Sequence, residues 1–203
     1  NRGAMKNIGA LEAAKAYGKD ITLVFHDVDT MPRYPLSIAF SCRRGEVNHI
    51  YGNSSSLGGI IAIRASDFMR SGGFANIWGW GYEDNVLTSR VIKAGLFINR
   101  TSKIPLTDLE SMIRLDATPG NANRSVSVVD LQRVARGQCD GIRNINYSSS
   151  LPESDTLLVT SFSTRFSPPP NLVRIGPEVL RGDVLRWATV KGANRRMIYS
   201  SHN

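Results

Sequence analysis

The run Ile21-Thr22-Leu23-Val24-Phe25 is β-branched or apolar throughout. A strand of that composition is buried on both faces, as in a parallel or mixed sheet. Just before it, Met5, Ile8, Leu11 and Ala14 recur at three-residue steps, which predicts a helix over 3–17 that Gly18 ends. Helix, short turn, buried strand is an α/β layout, with a mixed central sheet flanked by helices. At 203 residues the chain suffices for one full-sized domain with a small appendage.

The strand runs directly into His26-Asp27-Val28-Asp29, and Pro32 and Pro35 then stop regular structure. In an extended backbone side chains at i and i+2 share a face, so Asp27 and Asp29 are expected to point the same way, beyond the strand's C-terminal end, while Val28 turns back to the core. Ligands of open α/β sheets bind at such a strand end. Two oxygen donors there suit a hard divalent cation, Mg²⁺ or Mn²⁺, with phosphate oxygens completing the shell. The alternative is an Asx-type turn that closes the strand.

A second chemically loaded stretch is Ile77-Trp78-Gly79-Trp80-Gly81-Tyr82-Glu83-Asp84-Asn85. The glycines let backbone approach a ligand closely. Indoles offer flat apolar faces suited to a sugar ring, and adjacent carboxylates can accept hydroxyl protons or act as a general base. The competing reading is a buried aromatic corner followed by an acidic helix start, because carboxylates favour the positive helix N-terminus.

Elsewhere, residues 36–57 read as irregular, and Ile60-Ile61-Ala62-Ile63 as a second buried strand. A helix from about Ser66 to Arg70 is capped by Ser66 or Asp67. Leu87, Val91 and Ala94 mark one face of a helix closed by Gly95, and Leu96-Phe97-Ile98 is a third strand. Leu109 to Leu115 is mixed, 118–123 a loop, 126–136 a helix, and Leu157 to Phe162 a last strand. Pro168-Pro169-Pro170 reads as a stiff spacer before the tail.

The net charge of +8 favours anionic partners. Residues 168–203 carry six basic residues against two acidic ones, which reads as a solvated basic extension or as a nucleic-acid or membrane patch. Nucleic acid is not the expected partner, because basic and aromatic residues are not interleaved. No apolar run approaches the ~20 residues that span a bilayer. Cys42 and Cys139 pair only if the fold joins them, and two free thiols serve equally well. Asn53, Asn99, Asn123 and Asn146 begin glycosylation triplets of a kind common by chance in a Ser- and Asn-rich chain.

Taken in order, the motifs resemble the C-terminal catalytic part of the β1,4-galactosyltransferase family, which has a GT-A fold. The residues that carry the resemblance are Asn1-Arg2-Gly3 with Asn7-Ile8-Gly9, then Phe25-His26-Asp27-Val28-Asp29 and Gly58-Gly59. Gly73-Phe74 with Trp78-Gly79-Trp80-Gly81-Tyr82-Glu83-Asp84 follows, and Met112-Ile113-Arg114 and Asp140-Gly141-Ile142 complete the series. The resemblance covers about 1–162, so 1–167 is expected to be the catalytic domain and 168–203 an extension of unknown role. It also implies that a βαβ unit precedes Asn1 in the parent protein. A Golgi setting behind an N-terminal membrane anchor goes with the family.

Carried over by position, the resemblance implies a metal-dependent inverting transfer of galactose or N-acetylgalactosamine from a UDP-sugar to a glycan hydroxyl. Asp29 would ligate Mn²⁺, and Asn1, Arg2, Asp27 and Val28 would lie along the donor. Trp80 would sit on a lid closing over it. Tyr82, Glu83, Asp84, Asn85 and Arg124 would line the acceptor, with Asp84 as base. The family's Met-x-x-His metal pair is here Met112-Ile-Arg-Leu115; leucine ligates nothing, so Asp116 is the candidate replacement beside Met112. Ser56 stands where galactose-selective members carry an aromatic residue, which leaves the donor sugar open. The cysteine that the family pairs with the Cys42 position, expected near Thr22, is absent. An inactive glycan- or nucleotide-binding module is the alternative that Leu115 favours.

Overall fold

A computed structural model describes residues 1–34, 38–79, 81–115, 132–134, 141–153, 156–165, 185–189 and 196–199. The chain opens with α1 (Arg2–Tyr17), capped by Asn1, whose side-chain oxygen accepts from the Ala4 amide. Then follow β1 (Thr22–His26), β2 (Thr30–Pro32), β3 (Glu46–Tyr51), β4 (Ile60–Arg64), α2 (Ala65–Ser71) and α3 (Glu83–Lys93). β5 (Phe97–Asn99), β6 (Met112–Arg114), β7 (Ile145–Glu153), β8 (Thr156–Thr164), β9 (Leu185–Thr189) and β10 (Arg196–Tyr199) complete the order.

The central sheet runs β1-β4-β3-β5. β1 and β3 flank β4 in antiparallel register and β5 lies parallel to β3, so the sheet is mixed. β4 is its spine: Ile60, Ile61, Ala62 and Ile63 are all fully buried. One side is closed by Phe25, Phe68 and Phe74, whose ring centroids lie 4.9–5.7 Å apart. Such packed aromatics add to their area burial.

The strand β3 falls where an irregular segment is expected. Its polar residues hid it, since His49 is completely buried with Val47, Ile50 and Tyr51. Burial first, then the nearby Arg100 charge, pushes the His49 pKa down to about 4. The neutral ring accepts a 3.1 Å bond at Nδ1 from Arg100 Nε. α2 begins without a side-chain cap; Asp67 instead accepts from the Gly45 amide and pairs with Arg70.

Helix α1 buries mostly small residues, including Gly3, Ala4, Ala10 and Ala13, while Met5, Leu11 and Ala14 are half-buried. Small residues allow close approach: a Cβ on Gly3 would stand 1.9 Å from the Ala75 carbonyl oxygen. The other side of α1 meets the second sheet, ordered β10-β9-β8-β7, where Ile8 packs with Leu157 and Tyr147 donates 2.7 Å to Glu12.

Of the 168–203 segment, β9 and β10 join this second sheet; its remainder, the proline spacer, and most of the helix expected over 126–136 lie outside the described residues. Residues 132–134 are helical. Cys42 is a free thiol, while Cys139 lies outside the described residues. No helix among those residues is long and apolar enough to cross a membrane.

Candidate active site

The end of β1, the first turns of α1 and the start of α3 converge on one charged corner. Helical residues four apart share a face, so Arg2 and Lys6 both project toward it. Arg2 Nη2 lies 2.7 Å from Asp27 Oδ1, and Arg2 Nη1 lies 3.2 Å from Glu83 Oε1. Lys6 Nζ lies 3.5 Å from Asp84 Oδ1 and 3.7 Å from Asp27 Oδ1. The Glu83 side chain is 3 % exposed, Lys6 5 % and Asp84 20 %. Burial works against the Arg2 charge, but Asp27, Glu83, Asp84 and Asp29 together raise its pKa.

Asp84 is held by its surroundings rather than by its own helix alone. Burial pushes its pKa up to about 6, opposed by Lys6 and reinforced by Glu83 and Asp27. Its Oδ2 packs against Gly58, where a Cβ would stand 2.6 Å away, so a glycine leaves the room that the carboxylate fills. Thr88 ties α3 to the same loop, donating to the Asp84 carbonyl at 2.7 Å and accepting from the Leu57 amide at 2.9 Å. Tyr82 precedes the pair with φ 70°, a left-handed conformation rare outside glycine. Asn85 sits half-buried in the first turn of α3.

A buried polar network positions the approach to α3. Asn7 donates to the Phe74 carbonyl and to Asn76, and accepts from the Phe74 amide. Asn76 donates 2.8 Å to the Gly141 carbonyl, and Arg90 Nη1 reaches the carbonyls of Gly72, Gly73 and Phe74. Trp78 stacks on Phe162 of the second sheet, with ring centroids 5.7 Å apart. Trp80, Asp116 and Arg124 lie outside the described residues.

The Asp-x-Asp segment corrects one expectation. The chain leaves the extended conformation after His26 and turns, with the Thr30 amide and hydroxyl both donating to the Asp27 carbonyl. Val28 consequently stands 36 % exposed instead of returning to the core. Asp27 is pinned by the Gly59 amide, 3.2 Å from Oδ2, and by Arg2. The Asp29 pKa is raised by burial and then by Asp27.

β6 pairs with β2, and the Leu115 amide donates 2.7 Å to the Asp29 carbonyl. Met112, expected on the metal, is 1 % exposed and packed among Val24, Ile38, Ile50, Tyr51, Ile60 and Ala62. An apolar cluster holds this thioether as a core residue. The Leu115 side chain is 65 % exposed.

For a divalent cation the described residues offer hard oxygens and charge but no complete cage. They gather no group of three His, Cys, Asp or Glu that could hold a metal. Among the described residues Asp27, Glu83 and Asp84 pair with Arg2 and Lys6, and the Asp29 carboxylate feels Arg2 and Arg114. Asn1 Nδ2, Arg2 Nε and Glu83 Oε1 are buried without hydrogen-bond partners. Unsatisfied buried polar atoms are costly and mark ligand positions. The donor set fits a cation whose shell is completed by ligand oxygens.

The fold is of GT-A type, α/β with a mixed sheet flanked by helices. A family model described as the N-terminal domain of galactosyltransferase matches residues 39–115, from before β3 through β6. Human β-1,4-galactosyltransferase 4 is 28 % identical over 170 residues, 78 % of this chain and 48 % of that protein. The mouse form is 30 % identical over 158 residues, 72 % of this chain and 45 % of that protein. The catalytic domain of Drosophila β1,4-galactosyltransferase 7 in complex with xylobiose superposes with a TM-score of 0.56 at 22 % identity, covering 73 % of this chain and 66 % of that one. A mutant of the same enzyme in complex with manganese, UDP-Gal and xylobiose matches at 0.56 and 20 % identity, with the same coverage.

The chain belongs to the β1,4-galactosyltransferase family. It spans about half the length of the curated relatives it matches.

Sequence reading missed Lys6, whose signal was its place one helical turn after Arg2. It also missed Gly58 as the residue that makes room for Asp84.

Proposed function

We propose that the protein carrying this chain is an inverting, metal-dependent transferase moving galactose or N-acetylgalactosamine from a UDP-sugar to a sugar hydroxyl of a glycan. The observation that carries this reading is Asp84: a carboxylate with a pKa near 6, at the charged corner, with one oxygen beside Lys6 and the other packed against Gly58. Such a group is largely ionised at pH 7 and still basic enough to take a hydroxyl proton. Support also comes from the family and from the Drosophila relative's complex with manganese, UDP-Gal and xylobiose.

In the proposed reaction the acceptor hydroxyl gives its proton to Asp84 as its oxygen bonds to the anomeric carbon. The bond from that carbon to the diphosphate oxygen breaks on the opposite face, and UDP departs with the bonding pair. Arg2 and Asn1, with their unpartnered buried nitrogens, bind along the donor, and Asp27 is oriented for it by Arg2 and the Gly59 amide. Glu83 is held by Arg2 at the acceptor side. Asp29 would hold a divalent cation, which when bound neutralises charge on the diphosphate. General-base help of this kind is worth ~10²–10⁴-fold, so positioning must supply much of the rest. A Golgi setting accompanies the reading.

Leu115 favours a second reading, an inactive module that binds nucleotide or glycan, because an exposed leucine follows β6, its amide on the Asp29 carbonyl, where the family places a metal-binding histidine. Calorimetry of UDP binding with Mn²⁺ and with EDTA, joined to a transfer assay over sugar acceptors, separates the two. Manganese-dependent binding with turnover is expected. Binding without turnover on any acceptor would move the protein to the second reading.

A further inference from the structure

We propose that Lys6 is a positioning residue for the transfer step, holding Asp84 by one carboxylate oxygen and tying that carboxylate to the donor-side Asp27. The proposal rests on the reading of Asp84 as the base.

Lysine is almost never buried without a partner, yet the Lys6 side chain is only 5 % exposed. Its ammonium meets three groups on three different segments: Asp84 Oδ1 at 3.5 Å, Asp27 Oδ1 at 3.7 Å, and the Phe74 ring at 4.8 Å from the centroid. The Phe74 ring is wedged against Phe25 and Phe68, so the face under the cation is fixed. A cation over an aromatic face is held electrostatically. These contacts keep the ammonium in place as well as neutralising charge.

The two oxygens of Asp84 therefore stand in different surroundings. Oδ1 is engaged by Lys6, while Oδ2 packs against Gly58, filling the space a Cβ would take. A base fixed in this way loses no rotational freedom when the acceptor arrives. Arg2 and Lys6 divide the labour along one face of α1: Arg2 binds Asp27 and Glu83, and Lys6 binds Asp27 and Asp84. Asp27 keeps Arg2 and the Gly59 amide if Lys6 is removed, whereas Asp84 loses its cation. Removal should thus strike the chemical step more than donor binding.

The test is steady-state kinetics of Lys6→Met, Lys6→Arg and Asp84→Asn in the whole protein, with UDP-galactose and the acceptor found in the transfer screen. Lys6→Met is expected to lower kcat by on the order of 10²-fold while the donor KM stays within about threefold, and Lys6→Arg to recover most of the loss. A kcat for Lys6→Met equal to wild type overturns the proposal, as does a loss carried by donor KM alone. Should Lys6→Met fail to fold, Lys6→Gln keeps a donor without the charge and is judged by the same split. If Asp84→Asn turns over normally, the base reading itself falls. If it is inactive while Lys6→Met is normal, only the role of Lys6 falls.

Discussion

The two sides of the charged corner are built differently. On the α3 side, Glu83 is buried and Asp84 half-buried, both are ion-paired to α1, and Asp84 is braced by Thr88 and Gly58. On the other side, the β2–β6 ribbon presents Asp29 between exposed apolar residues, with Met31 47 % and Leu115 65 % exposed. The protein alone completes the first half, where a base must be held in a fixed pose. It leaves the second open, where a diphosphate and its cation would bring their own oxygens. On the proposed function, preorganisation is concentrated where a proton would move, because misplacement there costs most.

That contrast breaks first at Asp84. Replacing it with Asn should lower kcat by ~10²–10⁴-fold while UDP affinity, measured calorimetrically, stays near wild type. Retained turnover would remove Asp84 from the base role.

The next largest effect is expected at Gly58→Ala. The new Cβ would stand 2.6 Å from Asp84 Oδ2, so the carboxylate, the end of a side chain, must give way instead of the backbone. A loss of kcat of about 10²-fold with an unchanged melting temperature would show that glycine is there for the base. Full activity would show that Oδ2 is free to move.

The open half is sharpened by Leu115→His. An imidazole added beside the Asp29 strand should tighten Mn²⁺ binding on the order of tenfold. An unchanged manganese titration would place the cation away from this ribbon.

The smallest effect concerns stability. The Asp84 pKa is raised from 3.8 to about 6, so the fold favours its neutral form. The stability linked to that preference is present in full below pH 3.8 and is lost as pH rises through about 6. Asp84→Asn should therefore stabilise the protein at pH 7 by roughly 1–3 kcal/mol relative to its effect at pH 3. Urea melts at the two pH values check this, and an equal effect at both would refute the shift.

Much of the scaffold was readable along the chain. The apolar runs gave β1 and β4, the Leu87–Val91 spacing gave α3, and the residues around Asp84 announced their chemistry by type and order. β3 was hidden because its buried histidine and half-buried asparagine break the apolar pattern, and a burial bought with the Arg100–His49 bond leaves no local signal. Val28 was misplaced because the turn at Asp27 depends on Thr30 and on contacts with Gly59, not on residue periodicity.

Composition and order alone determined the α/β class, the family and the residue types available for chemistry, since these follow from local pattern and motif. Only the tertiary structure decided which charges meet. Lys6 and Asp84 are 78 positions apart, and Arg2 and Asp27 are 25. Ion pairing, the raised pKa of Asp84 and the burial of Met112 in the core all arise from distances that folding sets. Electrostatic and packing energies depend on separation in space, which the chain's linear order does not encode.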